Sequence, residues 1–343
     1  MIKVSFKHLQ IPAVCFMLTF YIVTLQAQNL FESDSALKIT LSFSLDSLKK
    51  SDCNNPKTFK AQLSYYDGSH HNFNIKVNKR GKFRCDPQNC SFPPIKIDFK
   101  SKEVEKSVFN NQNKIKLVNP CRINSPRYQD YLIKEFLMYK ILNLLTPYSL
   151  RVRIVDICIL NPAKPNDSIT FLGFLLEDAD DMAKRNQGKI LNASNVRAAE
   201  FDSIAMNMID IFQYMIGNTD WSVTEPHNII ILSTSPFEPP FPVPYDFDWS
   251  GAVNAFYARP QPHLNLRSVT QRYYMGFCRN MNDIRKNLYK FNQLKTQIYS
   301  LIEDDQHLSS KGKRQLIKYF DDFFELIENQ KRYESVFSHE CLQ

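Results

Sequence analysis

The chain has 343 residues, 43 Lys and Arg against 35 Asp and Glu, a formal charge of +8 and only 8 glycines. The basic excess is spread along the chain. It therefore lacks the concentrated footprint of a nucleic-acid binder and suits a phosphate-bearing ligand. The length allows a two-lobed unit, or two small domains, with a real core.

Residues 1–27 open with Lys3 and Lys7, continue with an apolar run from Ile11 to Leu25, and end on Leu25-Gln26-Ala27. This pattern predicts a cleaved secretory signal peptide. The run is shorter than the roughly 20 apolar residues a membrane helix needs. The expectation is a secreted or periplasmic bacterial protein without a stable membrane anchor. In such a compartment disulfides form, and Cys53, Cys85, Cys90, Cys121, Cys158, Cys278 and Cys341 are an odd set that leaves at least one cysteine unpaired. Cys85, Cys90 and Cys121 flank two predicted strands and point to one staple, with Cys90–Cys121 favoured. No cysteine or histidine cluster has zinc spacing.

Leu37–Phe43, Phe59–Tyr65, Phe73–Val77 and Ile95–Phe99 alternate apolar and polar residues, with Asp67-Gly68 marking a hairpin turn. Such alternation predicts sheet with one wet face. One long helix interrupts it, Arg127 to Leu145, stopped by Thr146-Pro147. Arg151–Leu160 and Phe171–Leu176 read as further strands. Beyond the acidic connector Glu177–Asp181 helices dominate, over Glu200–Ile216, Met281–Ile302 and Lys311–Glu328, around a Pro-rich segment from Ser235 to Pro262. This order divides the chain into a strand-rich part (28–177) and a helical part (178–343).

Three segments of the helical part carry chemistry: Gly217-Asn218-Thr219-Asp220, His227-Asn228 leading an apolar run, and Tyr245-Asp246-Phe247-Asp248. Phosphoryl transfer asks little covalent chemistry of a protein. It needs a carboxylate to orient the acceptor and hard oxygen ligands to hold Mg²⁺ on the phosphates. An Asp at a helix exit, an Asn opening a strand and an Asp ending the next strand supply those groups. No GxGxxG or GxxxxGK[ST] accompanies them, so the phosphates would have to be gripped by side chains such as Arg80, Lys82, Lys116 or Arg122. Glu135 has only apolar or aromatic helical neighbours, so its carboxylate should point inward and require a cation. Lys116 and Lys96 are both suitable strand lysines, and the sequence does not choose between them.

These segments, with Lys79-Arg80-Gly81 and Phe171–Glu177 upstream in the same order, resemble the active-site segments of the spore-coat CotH kinase family. The resemblance spans about Phe73 to Gly251 and implies an α+β, bilobal protein-kinase-like fold with a strand-rich N-lobe, one long helix in it, and a helical C-lobe. Carried over, it implies a secreted, metal-dependent enzyme with ATP and Mg²⁺ or Mn²⁺ as cofactors. Asp220 is then the catalytic carboxylate, Asn228 and Asp246 are metal ligands, Asp248 is a second ligand, and Glu177 is a hinge residue near the base. Arg80, Lys116 or Lys96, and Glu135 complete the nucleotide site, and the acceptor is an extracytoplasmic protein. The chain departs from ordinary kinases in the eight-residue step from Asp220 to Asn228, three more than usual. The competing expectation is an inactive kinase-like interaction module of the cell envelope; a hydrolase has no GxSxG or HExxH to support it.

Overall fold

The alternating segments of the first half close on themselves in the computed structural model, which describes residues 29–342; the predicted signal peptide lies outside them. Strands β1 (Leu37–Ser42), β2 (Phe59–Tyr66), β3 (His70–Lys79), β4 (Ile95–Asp98), β5 (Lys114–Val118), β6 (Val152–Asn161) and β7 (Lys164–Leu176) form a barrel in the order β1-β2-β3-β4-β5-β7-β6. All neighbours are antiparallel except β1 and β6, whose parallel pairing (Ile39 opposite Ile157) completes the barrel. The period-2 pattern decides what fills it: Ile39, Leu41, Leu63, Val77, Ile97, Leu117, Ile157 and Leu175 are buried in one cluster. The strand-rich part is thus a closed barrel and not the open one-faced sheet that alternation suggested. Closure removes the exposed edges an open sheet would present.

Short helices α1 (Leu45–Lys50) and α2 (Ser101–Val104) decorate the barrel, and α3 (Pro126–Leu145) is the long predicted helix. Pro126 stands at its first position, where a missing N–H costs nothing. After β7 come α4 (Ala179–Arg185), β8 (Lys189–Leu191), α5 (Ser203–Ile216), β9 (Ile229–Ser233), β10 (Phe241–Pro244), α6 (Met281–Glu303), α7 (Ser310–Glu328) and α8 (Gln330–Glu334). The helix α5 starts on an Asp202 side chain that accepts from the Ala205 N–H at 2.8 Å, and stops at Gly217 in the left-handed conformation. Strand β10 carries Pro242 and Pro244 and pairs only with β9, the edge position that tolerates proline. One apolar cluster joins α3, α5, α6 and α7 to the ends of β6 and β7, so α3 is anchored in the helical part as well as against the barrel. The architecture is mixed α+β, with strands leading and helices following.

Among the described residues there are three disulfides, Cys90–Cys121 as expected, Cys53–Cys85, and Cys278–Cys341, and Cys158 is free. Among the described residues no helix is long and apolar enough to cross a membrane.

Candidate active site

Gly217 determines how the chain leaves α5. Its φ of +63° suits glycine, and a Cβ there would sit 2.0 Å from the Tyr319 hydroxyl. The Gly217 carbonyl accepts from the Gly251 N–H at 2.9 Å, and Ile216 accepts from Ala252 at 2.9 Å. The segment after α5 is therefore stitched to the segment after Asp248, two stretches more than thirty residues apart in sequence.

Asp220 follows. Its N–H donates to Asn218 Oδ1 at 3.0 Å, and its carboxylate is held from three sides: by His227 Nε2 at 3.1 Å, Gln261 Nε2 at 3.0 Å and Asn228 Nδ2 at 3.1 Å. Asn228 Nδ2 also donates to the Asp220 carbonyl at 2.8 Å. The enlarged step between these residues is absorbed by a bridge from Ser222 to His227, which returns Asn228 to Asp220.

Asn228 precedes β9 and Asp246 follows β10, and the Tyr245 N–H donates to the Asn228 carbonyl at 3.0 Å, so the hairpin sets the two residues side by side. Both have left-handed backbones (φ +53° and +64°), a conformation Asn and Asp tolerate better than other non-glycine residues and one that concentrates at functional sites. Tyr139 on α3 accepts the Asp246 N–H at 2.8 Å, and the fully buried Phe247 packs on Tyr139 and Phe212 with ring centroids 4.7 and 5.5 Å apart. Asp246 is thereby fixed to α3 and α5.

The barrel supplies cations. Beyond β3 the loop 80–94 is clamped by Cys53–Cys85 and Cys90–Cys121, and the buried Lys79 ammonium is tied to the Ser51 carbonyl at 2.7 Å. This loop, with β5 and the α3 face, closes one side of a cavity of about 570 Å³ lined by Arg80, Lys82, Arg84, Lys116, Glu135, Tyr139, Asp220, His227, Asn228, Tyr245, Asp246 and Asp248 among others. Of the predicted site residues, Arg80, Lys116, Glu135, Asp220, Asn228, Asp246 and Asp248 come together there. Lys96 and Glu177 do not line it.

Lys96 stands opposite Lys116 in the β4–β5 pairing and spends its charge on Asp98 at 3.0 Å. Lys116 is lowered from the ordinary lysine range by burial and by the nearby Arg80, and its ammonium lies 5.5 Å from the Tyr245 ring centre. Glu177, expected as a hinge residue near the base, directly follows β7 and lies outside the cavity lining. Its oxygens accept from Arg185 Nε at 2.8 Å, Arg185 Nη2 at 3.0 Å and the Arg151 N–H at 2.9 Å. With those partners the carboxylate is a strut between β7 and α4.

Arg84 is the residue sequence reasoning missed. Glu135 does need a cation, but the one it finds is Arg84, whose Nη1 lies 3.9 Å from Glu135 and 4.0 Å from Asp248 while its Nη2 donates to the Asn119 carbonyl. The only advance signal was its place beside Cys85. Burial raises Glu135 well above the usual carboxylate range, reinforced by Asp248 and Asp246. Burial, with Asp246 alongside, pushes Asp248 up to about 7, while the Tyr257 hydroxyl donates to it at 2.8 Å. Asp248 is thus held between Tyr257 and Arg84.

The donor set fits a hard cation. Both donations from Asn228 Nδ2 go to Asp220, which leaves its Oδ1 available as an oxygen donor, and the exposed Asp246 stands beside the buried Asp248 carboxylate, an arrangement a cation relieves. Among the described residues no three His, Cys, Asp or Glu side chains form a self-sufficient metal site. Such an ion would need ligands from elsewhere, as Mg²⁺ usually takes from substrate phosphates.

No family model and no curated protein matches the chain. Solved structures similar to it include a Helicobacter pylori proinflammatory kinase, CtkA, at 11% identity over 84% of this chain and 95% of that one, with a TM-score of 0.35. The Golgi casein kinase is similar at 12% identity over 73% of each chain, TM-score 0.32, and its Mn/ADP-bound structure at 11% over 87% of this chain and 78% of that one, TM-score 0.29. Identities and TM-scores are both low, so the chain's own geometry must carry the functional reading.

Proposed function

We propose that this chain is a bilobal, kinase-like phosphotransferase that uses a nucleoside triphosphate, ATP in the first instance, with Mg²⁺ or Mn²⁺, to modify a hydroxyl of an extracytoplasmic protein. One observation carries it: Asp220, Asn228 and Asp246 share a cavity with Arg80 and Lys116. The barrel is the N-lobe of this reading, residues 178–343 the C-lobe, and the resemblance of the same three segments to the CotH kinase family points the same way.

Asn228 Oδ1 and Asp246 would hold the metal, which when bound supplies charge neutralisation at the phosphates. Lys116 and Arg80 would grip phosphate oxygens by side chain, the role a glycine-rich backbone fills elsewhere. Asp220, oriented by His227, Gln261 and Asn228, would accept the acceptor's hydroxyl proton as the acceptor oxygen bonds to the γ-phosphorus and the bond from that phosphorus to the departing nucleoside diphosphate breaks. The Arg84 bridge between Glu135 and Asp248 keeps α3 and the Asp246 segment in register.

The test is labelled ATP with Mg²⁺ or Mn²⁺, comparing the intact chain with Asp246→Ala. Transfer to protein should fall at least a hundredfold, since an electrostatic anchor of the transition state is removed. Melting temperature should rise with metal and ATP together and not with metal alone, because the protein ligands by themselves are too few. Equal labelling in both proteins would end the proposal.

A further inference from the structure

Beyond Asp220 lies a second cavity of about 350 Å³, lined by Thr219, Trp221, Ser222, Val223, Thr224, Glu225, His227, Gln261, His263, Met275, Phe277 and Leu342. Its relation to the first is specific. His227 lines both, and His227 and Gln261, which both line the second, donate to the same Asp220 oxygen. Asp220 itself lines only the first space, and His227 and Gln261 stand between its carboxylate and the second. The composition of the spaces differs sharply. The first is lined by Arg80, Lys82, Arg84 and Lys116, whereas the second has no lysine or arginine, and Glu225 is its single carboxylate. Apolar groups form much of it: Val223, Met275, Phe277 and Leu342. The last two are bridged backbone to backbone and pinned by the adjoining Cys278–Cys341 disulfide, so the wall is built and covalently held.

We infer that this second cavity is the acceptor subsite, and that it takes a hydroxyl-bearing polypeptide segment whose residue next to the hydroxyl is apolar and uncharged. The inference rests on the phosphotransferase reading for the role of Asp220, and the charge contrast carries the rest. A phosphate or an acidic flank meets no lysine or arginine in this space, and it would be placed beside Glu225. An apolar side chain gains burial there, beyond His227 and Gln261, while its neighbour's hydroxyl meets the Asp220 carboxylate from the first space.

The experiment measures binding without nucleotide, so that it stands apart from the kinase reading. The full chain is offered an immobilised library of Ser, Thr and Tyr peptides whose flanking positions are varied among apolar, acidic and basic residues, with an oligosaccharide panel alongside. Two variants are carried through the same measurement, Met275→Ala and the exposed, fold-tolerant Leu342→Glu, with thermal melts to check folding. The expected result is selection for an apolar residue adjacent to the hydroxyl, weakened roughly tenfold by each variant. Selection for acidic flanks, preference for saccharides, no peptide selection, or selection that both folded variants leave intact would overturn the inference. Failure of ATP and metal to bind or transfer phosphate would sink the kinase proposal while leaving this peptide selection readable on its own.

Discussion

The barrel and the helical half meet across one cavity with opposite contributions. Residues before position 120 bring Arg80, Lys82, Arg84 and Lys116, while residues after position 200 bring Asp220, Asp246 and Asp248, with Glu135 of α3 on the carboxylate side of the account. The barrel holds its cations by covalent and main-chain means, through two disulfides at the 80–94 loop and the Lys79–Ser51 bond. The helical half holds its carboxylates by hydrogen bonds and unusual backbone, through Gly217, Asn228 and Asp246. Charges that would be costly to bury on either side alone are made tolerable by the other.

The strongest way to break this complementarity is Arg84→Ala. Glu135 and Asp248, with side chains 4% and 6% exposed, lose the cation they share across the seam. Because both already lie above the usual carboxylate range and can take up protons, the loss should come to about 3 kcal/mol, at the lower end for a broken buried pair. Denaturant unfolding would show it, and a loss under about 0.5 kcal/mol would mean the two halves do not depend on each other electrostatically.

A cut confined to the carboxylate side is Gly217→Ala. The new Cβ meets the buried Tyr319 hydroxyl at 2.0 Å in a left-handed backbone, for about 2 kcal/mol. Gly68→Ala, also at positive φ but with open space around it, sharpens the comparison by costing only the backbone term, about 1 kcal/mol. Equal destabilisation of the two would deny that close approach at Gly217 matters.

The effect that is smallest per step, read one pH unit at a time, asks what happens where the helical half buries a carboxylate without a barrel cation. Asp210 on α5 is 1% exposed, both its oxygens lack a partner, and burial pushes it up to about 8 against the attraction of Arg279. The folded state therefore keeps a proton that the unfolded chain has released above about pH 4. Stability should fall as pH rises from about 4 to about 8, by at most about 1.4 kcal/mol per unit, and level off beyond. Asp210→Asn should flatten that slope, measured as midpoint against pH; an unchanged slope would place the titration elsewhere.

Much of the fold was legible because strand and helix periods are local properties. The alternation from Leu37 to Phe99 and the stripe from Arg127 to Leu145 name their elements to within a few residues, and Cys90–Cys121 follows from cysteines flanking neighbouring strands. The order of Asp220, Asn228 and Asp246 was also legible, since each stands just outside a periodic segment. What the local pattern could not hold was register and long-range partnership. Closure of the barrel depends on β1 pairing β6 over a hundred residues away. Lys116 lines the cavity while Lys96, directly opposite it on β4, pairs with Asp98, Glu135 meets Arg84 only because a disulfide-clamped loop folds over α3, and Glu177 is claimed by an arginine that arrives one helix later. Periodicity is written in neighbouring residues and survives without tertiary structure. The choice among equivalent charges depends on distances of a few ångströms between remote segments, and those exist only once the chain has closed.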